Sequence, residues 1–320
     1  MTPIYSIRKF SAPPITGGGA RLFGSRETRI GLRVPHLEIE AGKIYGIIGP
    51  SGSGKSVLLS LLAGFPSFAL SKSVEFETFS FLTNELDRGA FHSRRRWNRG
   101  NEKSMSCGSV MYLPQTLPHD KSFSFKTQKL MKDVLDAAQK EFGGAGVSNG
   151  RLKTYFNEMG IEATLNKNLT ALSGGERRRV ELLTRLTALG NADKRPAVVI
   201  LDEPTTGFDP ESENHFLCEI RKQSDLLKAK GIPVAFLIST HAVKYVTSEN
   251  TLFDEIIVVN RDRGNVENSR PLECCVICQD KVESIQRTLA EMLSINKERF
   301  VWEDVFSSLG KTSCSRLTSF

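Results

Sequence analysis

The chain has 320 residues, 39% hydrophobic and 25% charged, with a formal net charge of +7. These values exclude a fibrous chain and a wholly disordered one, and the length suits one large domain with insertions or one domain with a small appendage. The positive charge permits nucleotide, acidic lipid or nucleic acid as partners and selects none of them.

Residues 1–30 are rich in Pro, Gly and Arg, with Pro13, Pro14 and Gly17–Gly19 in succession, and read as a loose arm. No long apolar stretch follows Arg8 and Lys9, so no secretory signal is expected. Leu37 and Ile39 then alternate with charged residues, Gly42 turns the chain, and Ile44–Ile48 is an apolar strand. A glycine-rich loop and the helical run Lys55–Ala63 follow. Val74, Phe76, Phe79 and Phe81 can supply further strands. Asp87–Gly108 carries Arg88, Arg94, Arg95, Arg96 and Arg99 among few apolar residues and reads as a basic surface insertion. Such a loop is either simply solvated or touches lipid headgroups, a partner subunit or nucleic acid.

Helix is expected through much of 127–170 and again from Gly175 to Leu189. Ala197–Leu201, Val234–Ile238 and Ile256–Val259 are short and rich in β-branched residues, which suits buried parallel strands. None approaches the roughly 20 apolar residues of a membrane span. Val282–Leu293 is patterned as an amphipathic helix, and Ser313–Phe320 as a frayed tail. Cys274, Cys275 and Cys278 form C-C-x-x-C. That spacing allows a metal or redox site, but no second pair and no downstream histidine completes four ligands, so reduced thiols in a reducing compartment are the preferred reading.

The strongest local signal is Gly49-Pro50-Ser51-Gly52-Ser53-Gly54-Lys55-Ser56, a G-x-x-x-x-G-K-[ST] loop between strand and helix. Phosphates need closely packed backbone N–H donors and a helix N-terminus, and this turn supplies both. Lys55 is expected to reach the β- and γ-phosphates and Ser56 to bind Mg²⁺. A second signal is the apolar strand that ends in Asp202 and Glu203. Carboxylates at the C-terminal edge of such a sheet can hold Mg²⁺ (Asp202) and polarise an attacking water (Glu203). The third is Leu172-Ser173-Gly174-Gly175-Glu176 ahead of Arg177-Arg178-Arg179. By itself this is a capping box, with Ser173 as N-cap and Glu176 as the third helical residue.

Together these motifs resemble the ATP-binding cassette (ABC) ATPases, over roughly Arg33–Asn260, and particularly the nucleotide-binding subunits of transporters. The resemblance implies an α/β P-loop NTPase fold: a mainly parallel sheet core, an inserted helical subdomain and an antiparallel β part. The cassette is expected over 31–260, with the helical subdomain at about 116–180, the basic insertion at about 87–108 and a C-terminal extension over 261–320. The loop from Gly49 to Ser56, with Val57 after it, would bind ATP. Val57 stands where a hydroxyl residue is usual, which predicts slightly weaker binding. Ser173, Gly174 and Gly175 would close over ATP held by a second cassette, in a homodimer or heterodimer. Gln115 would sense Mg²⁺ beside Ser56 and Asp202, Asp209 would lie in the loop coupling the two sites, and His241 would contact the γ-phosphate. Phe23, with Phe10 and Tyr5 behind it, is the candidate ring for adenine, although a core ring is the other reading.

The implied function is ATP hydrolysis that drives cassette dimerisation and membrane transport by separate permease subunits. Such a protein is cytoplasmic and held peripherally on the membrane by those partners. The alternative is a soluble ABC ATPase acting on nucleic acid, ribosomes or a protein assembly.

Overall fold

The computed structural model describes residues 3–12, 31–63, 74–82, 84–85, 110–113, 157, 164, 167–168, 171–180, 182, 197–240, 252–262, 273–293 and 302–309. In chain order the strands are β1 (Tyr5–Ala12), β2 (Gly31–Ile39), β3 (Ile44–Ile48), β4 (Thr78–Phe81), β5 (Asn84–Glu85), β6 (Val110–Leu113), β7 (Val198–Asp202), β8 (Ala235–Thr240), β9 (Glu255–Asp262) and β10 (Glu273–Lys281). The helices are α1 (Lys55–Leu62), α2 (174–180), α3 (Pro210–Ala229), α4 (Val282–Leu293) and α5 (Trp302–Leu309). They divide into two compact units, Met1–Ser104 with Leu237–Phe320 and Met105–Phe236.

In the first unit the strand order is β5-β4-β1-β2-β10-β9-β3. β3 reads Ile-Tyr-Gly-Ile-Ile, is buried at every position and pairs in parallel with β9. A strand covered on both faces has no reason to alternate, which explains the continuous apolar run. β1 and β2 are antiparallel, with Tyr5 opposite Ile39 and Ala12 opposite Leu32. Their inward faces change phase together: Ile7 and Phe10 are buried on β1, Leu37 and Val34 on β2. Lys9 sits at the change with φ 48°, in the same stretch as Pro35, which has no N–H for the ladder. The change of phase keeps both ends of each strand packed inward.

The loose arm expected over residues 1–30 is therefore corrected at residues 5–12, which form β1 between β2 and β4. The boundary expected between 260 and 261 is corrected as well. It falls inside β9, and β10 lies between β2 and β9. These C-terminal residues are part of the sheet. α4 and α5 bury Ile285, Leu289, Val305 and Leu309, and Leu309 accepts a 2.7 Å hydrogen bond from the Asn260 amide. Residues 13–30, the insertion at 87–108, most of the helical subdomain at 116–180 and the tail 313–320 lie outside the described residues.

The Tyr5 hydroxyl donates to the Leu62 carbonyl at the end of α1, at 2.5 Å. Tyr5→Phe leaves a buried carbonyl short of that donor. It should cost about 1 kcal/mol and lower the unfolding midpoint by about 2–4 °C in a thermal melt.

In the second unit β6 and β7 run parallel, Val110 opposite Val198 and Leu113 opposite Leu201. α3 is set by local chemistry. Asp209 caps it by accepting from the Ser212 amide at 2.9 Å, Pro210 opens the first turn and Gly231, at φ 70°, follows the end. Phe216, Ile220 and Leu227 form its buried stripe.

Candidate functional site

The first unit carries the phosphate loop. It leaves β3, turns with the Ser53 amide on the Pro50 carbonyl at 3.0 Å, and enters α1 at Lys55. The Lys55 ammonium is buried and donates to the Gly49 carbonyl at 3.0 Å and the Pro50 carbonyl at 3.3 Å. Ser53 is also buried, and its hydroxyl has no hydrogen-bond partner among the described residues. Ser51, Gly52 and Ser56 are exposed and Val57 is half-buried. An inward lysine, an orphaned buried hydroxyl and an open helix N-terminus suit a polyanion such as a triphosphate. Ser56 adds the hard oxygen donor that Mg²⁺ requires.

The loop rests on residues that the linear motif does not reveal. On β10, Cys274 stands opposite Arg261 of β9, so the two side chains share a face of the sheet. Cys274 fills the space beside Gly54, which has φ 101°: a Cβ there would lie 2.2 Å from the Cys274 Sγ. The Arg261 guanidinium reaches Gly52, 3.5 Å from where a Cβ would stand. The next residues along each strand, Cys275 and Asn260, face the other way. Adjacent Cys274 and Cys275 thus point to opposite faces, and a bulge separates Val276 from Cys278, whose thiol burial pushes up to about 12. C-C-x-x-C on this strand does not converge on one ion.

The second unit carries the acid strand and the signature. β7 is buried along its length and ends in Asp202, itself 1% exposed. Glu203 follows at φ 45°, in the left-handed region, which costs a non-glycine residue about 1–2 kcal/mol. At the signature, the Ser173 hydroxyl accepts from the Glu176 amide at 3.2 Å. The Ser173 amide in turn donates to the Glu176 carboxylate at 2.8 Å. This is the capping box that the sequence implies, and it holds the Glu176 carboxyl below the usual range, with Lys167 adding to the effect. Ser173 and Gly174 remain exposed.

Several contacts fasten this helix to the chain that follows β7. A Cβ on Gly175 would lie 2.9 Å from the Gly207 carbonyl oxygen, so the close approach needs glycine. Arg178, buried, donates to the Asp202 carbonyl at 2.9 Å. Arg179 donates to the Asp209 carboxylate at 3.1 Å and the Ser212 hydroxyl at 3.0 Å, and lies 5.6 Å from the Phe208 ring centre. Hydrogen bonds from the Ser212 hydroxyl and amide bring the Asp209 carboxyl down to about 2.

Of the residues proposed from sequence, Gly49–Val57 lie together on the first unit, in the loop and the first turn of α1. Ser173, Gly174, Gly175, Asp202, Glu203 and Asp209 lie on the second unit. Gln115, His241 and Phe23 fall outside the described residues. Tyr5 and Phe10 are core rings: Tyr5 stacks on Phe81 at 4.7 Å, and Phe10 meets Phe79 edge-on at 5.9 Å. Arg261 has no signal in the sequence, Cys274 reads there only as part of C-C-x-x-C, and no role for Arg178 or Arg179 is evident. Only the basic run after the signature hinted at the last two.

Residues 32–206, more than half of the chain, match the family model for the ABC transporter domain. The chain belongs to this family of ATP-binding ATPases. The lipoprotein-releasing system ATP-binding protein LolD of Saccharophagus degradans is 27% identical over 222 residues, covering 69% of this chain and 84% of LolD. The cholesterol transporter ABCA5 of Rattus norvegicus is 27% identical over 244 residues, 74% of this chain but only 12% of that transporter. A solved structure of the ATP binding subunit of an ABC transporter matches with TM-score 0.56 at 15% identity, over 96% of this chain and 99% of that one. The fold is that of an α/β P-loop ATPase, with parallel strands joined to an antiparallel part.

Proposed function

We propose that this chain is the ATP-binding and hydrolysing subunit of an ABC transporter, coupling cassette dimerisation to transport by separate permease subunits. The observation that carries this reading is the exposed Ser173-Gly174 start of α2. It is a capped helix start that suits an anion held by a second cassette. LolD's name as an ATP-binding protein of a release system supports the transport part. No helix among the described residues is long and apolar enough to cross a membrane. In this reading the chain works on the cytoplasmic face of a membrane, held there by its permease.

The phosphate loop, Gly49 to Ser56 with Val57, binds ATP, and Lys55 shifts from the loop carbonyls to the phosphates. Ser56, Asp202 and Gln115 would hold Mg²⁺, which neutralises phosphate charge when bound. Glu203 takes the proton of the attacking water, and His241 holds the γ-phosphate. Asp209 joins the two halves, and Phe23 is the ring proposed for adenine. The domain plan follows: a cassette with its helical subdomain at about 116–180 and the basic insertion at about 87–108.

Ser173→Arg tests the role in trans. It fills the exposed helix start with a bulky cation. ATP turnover should fall by about 10²-fold or more, while the isolated chain binds ATP with unchanged affinity. If that affinity drops in step with turnover, Ser173 serves its own chain's nucleotide and the dimer reading is wrong. Co-purification with a multi-span membrane protein checks the transport assignment. Salt-sensitive, ATPase-stimulating binding to RNA or DNA with no membrane partner would replace it.

A further inference from the structure

The Arg178 guanidinium donates from Nη2 to the Asp202 carbonyl at 2.9 Å, and Arg178 is 6% exposed. A buried cation fixed on a backbone oxygen makes a strong, directional contact. That oxygen belongs to the peptide joining Asp202 to Glu203. The angle φ of Glu203 describes rotation against this same peptide plane, and it is 45°, where a residue with a Cβ is strained. Such strain persists only where neighbours hold the backbone in place. Arg178 holds the very group whose orientation defines it.

Arg178 is also part of α2, whose first turn is the signature. Ser173 and Glu176 close the capping box at one end, Gly175 packs on the Gly207 carbonyl, and Arg178 grips the end of β7. The helix start and the Glu203 backbone are therefore parts of one fastened block within the second unit.

We propose that Arg178 is a positioning residue: by holding the Asp202–Glu203 peptide it aims the Glu203 carboxylate, and it ties that aim to the seating of the signature helix in the same chain. The inference rests on the reading of Glu203 as the base. Arg178 touches no substrate in this scheme and acts through the peptide.

Two measurements test it. The first needs no nucleotide. Glycine adopts positive φ freely, so Glu203→Gly removes the strain that Arg178 holds. Arg178→Met should lower the melting midpoint by about 4–8 °C in the Glu203→Gly chain, and by less than half as much in the unaltered chain, where losing the contact also lets the strained Glu203 backbone relax. Equal shifts in both backgrounds would overturn the proposal.

The second is the ATPase assay on the full chain. Arg178→Met should cut kcat by about 10- to 100-fold with KM and the ATP dissociation constant within about two-fold. Arg178→Lys, which keeps the cation, should recover part of kcat. A parallel loss of ATP affinity, or no difference between Met and Lys, would show a general structural role instead. A chain that turns over no ATP before substitution would refute the ATPase reading alone, since the melting comparison still decides what Arg178 holds.

Discussion

Glu203→Gln should reduce steady-state ATP turnover by about 10²–10³-fold and leave ATP bound in a stable dimer. The substitution preserves the size and planarity of the side chain and removes its capacity to accept a proton. The loss therefore reports on the chemical step. β7 is buried from Val198 to Asp202, so the backbone that presents Glu203 is fixed by the core. An amide in place of the carboxylate puts little strain on that backbone, and φ 45° is as tolerable for glutamine as for glutamate. Phosphate release measures turnover, and light scattering after gel filtration with ATP measures the dimer. Turnover at the unaltered rate would show that another group takes the proton.

Gly54→Ala should abolish nucleotide binding and lower the melting midpoint by about 10 °C. Two independent costs combine. Gly54 has φ 101°, which disfavours any Cβ by about 1–2 kcal/mol. The added Cβ would also lie 2.2 Å from the Cys274 Sγ and 2.5 Å from the Cys274 Cβ. The Cβ cannot retreat easily, because β10 is paired with β2 on one side and β9 on the other. Relief has to come from the phosphate loop, whose spacing of amides and Lys55 is what phosphate requires. Adding Cys274→Gly removes both offending atoms and leaves the Cα at 3.9 Å. The double variant should regain part of the stability but not all of it, since the backbone strain remains. Fluorescent-nucleotide titration and thermal melts distinguish the cases. Unimpaired binding by the single alanine variant would refute the close packing of Cys274 on the loop.

Some of this site was plain in the sequence because it is made by neighbours along the chain. The Ser173–Glu176 box closes through residues three positions apart. The phosphate loop is a run of eight consecutive residues between a strand and a helix. β3 and β7 were visible as unbroken apolar runs, since strands covered on both faces need no alternation. Short-range hydrogen bonds and burial period leave marks that one segment displays alone.

The supports of the site left no such mark. β1 was read as an arm because Tyr5–Ala12 finds its partners in Leu32–Ile39 and Thr78–Phe81. Arg261 and Cys274 come against Gly52 and Gly54 from strands more than two hundred residues later in the chain. Their apolar and polar neighbours give no period that points there. The sequence alone determined the class of chemistry, through the phosphate loop, the paired acids and the signature. Only the tertiary structure decided which residues steady those groups, because pairing across a sheet brings together side chains that local propensity cannot relate. Lys55 could be named from its motif, whereas Cys274 behind Gly54 and Arg178 on the Asp202 carbonyl required the folded chain.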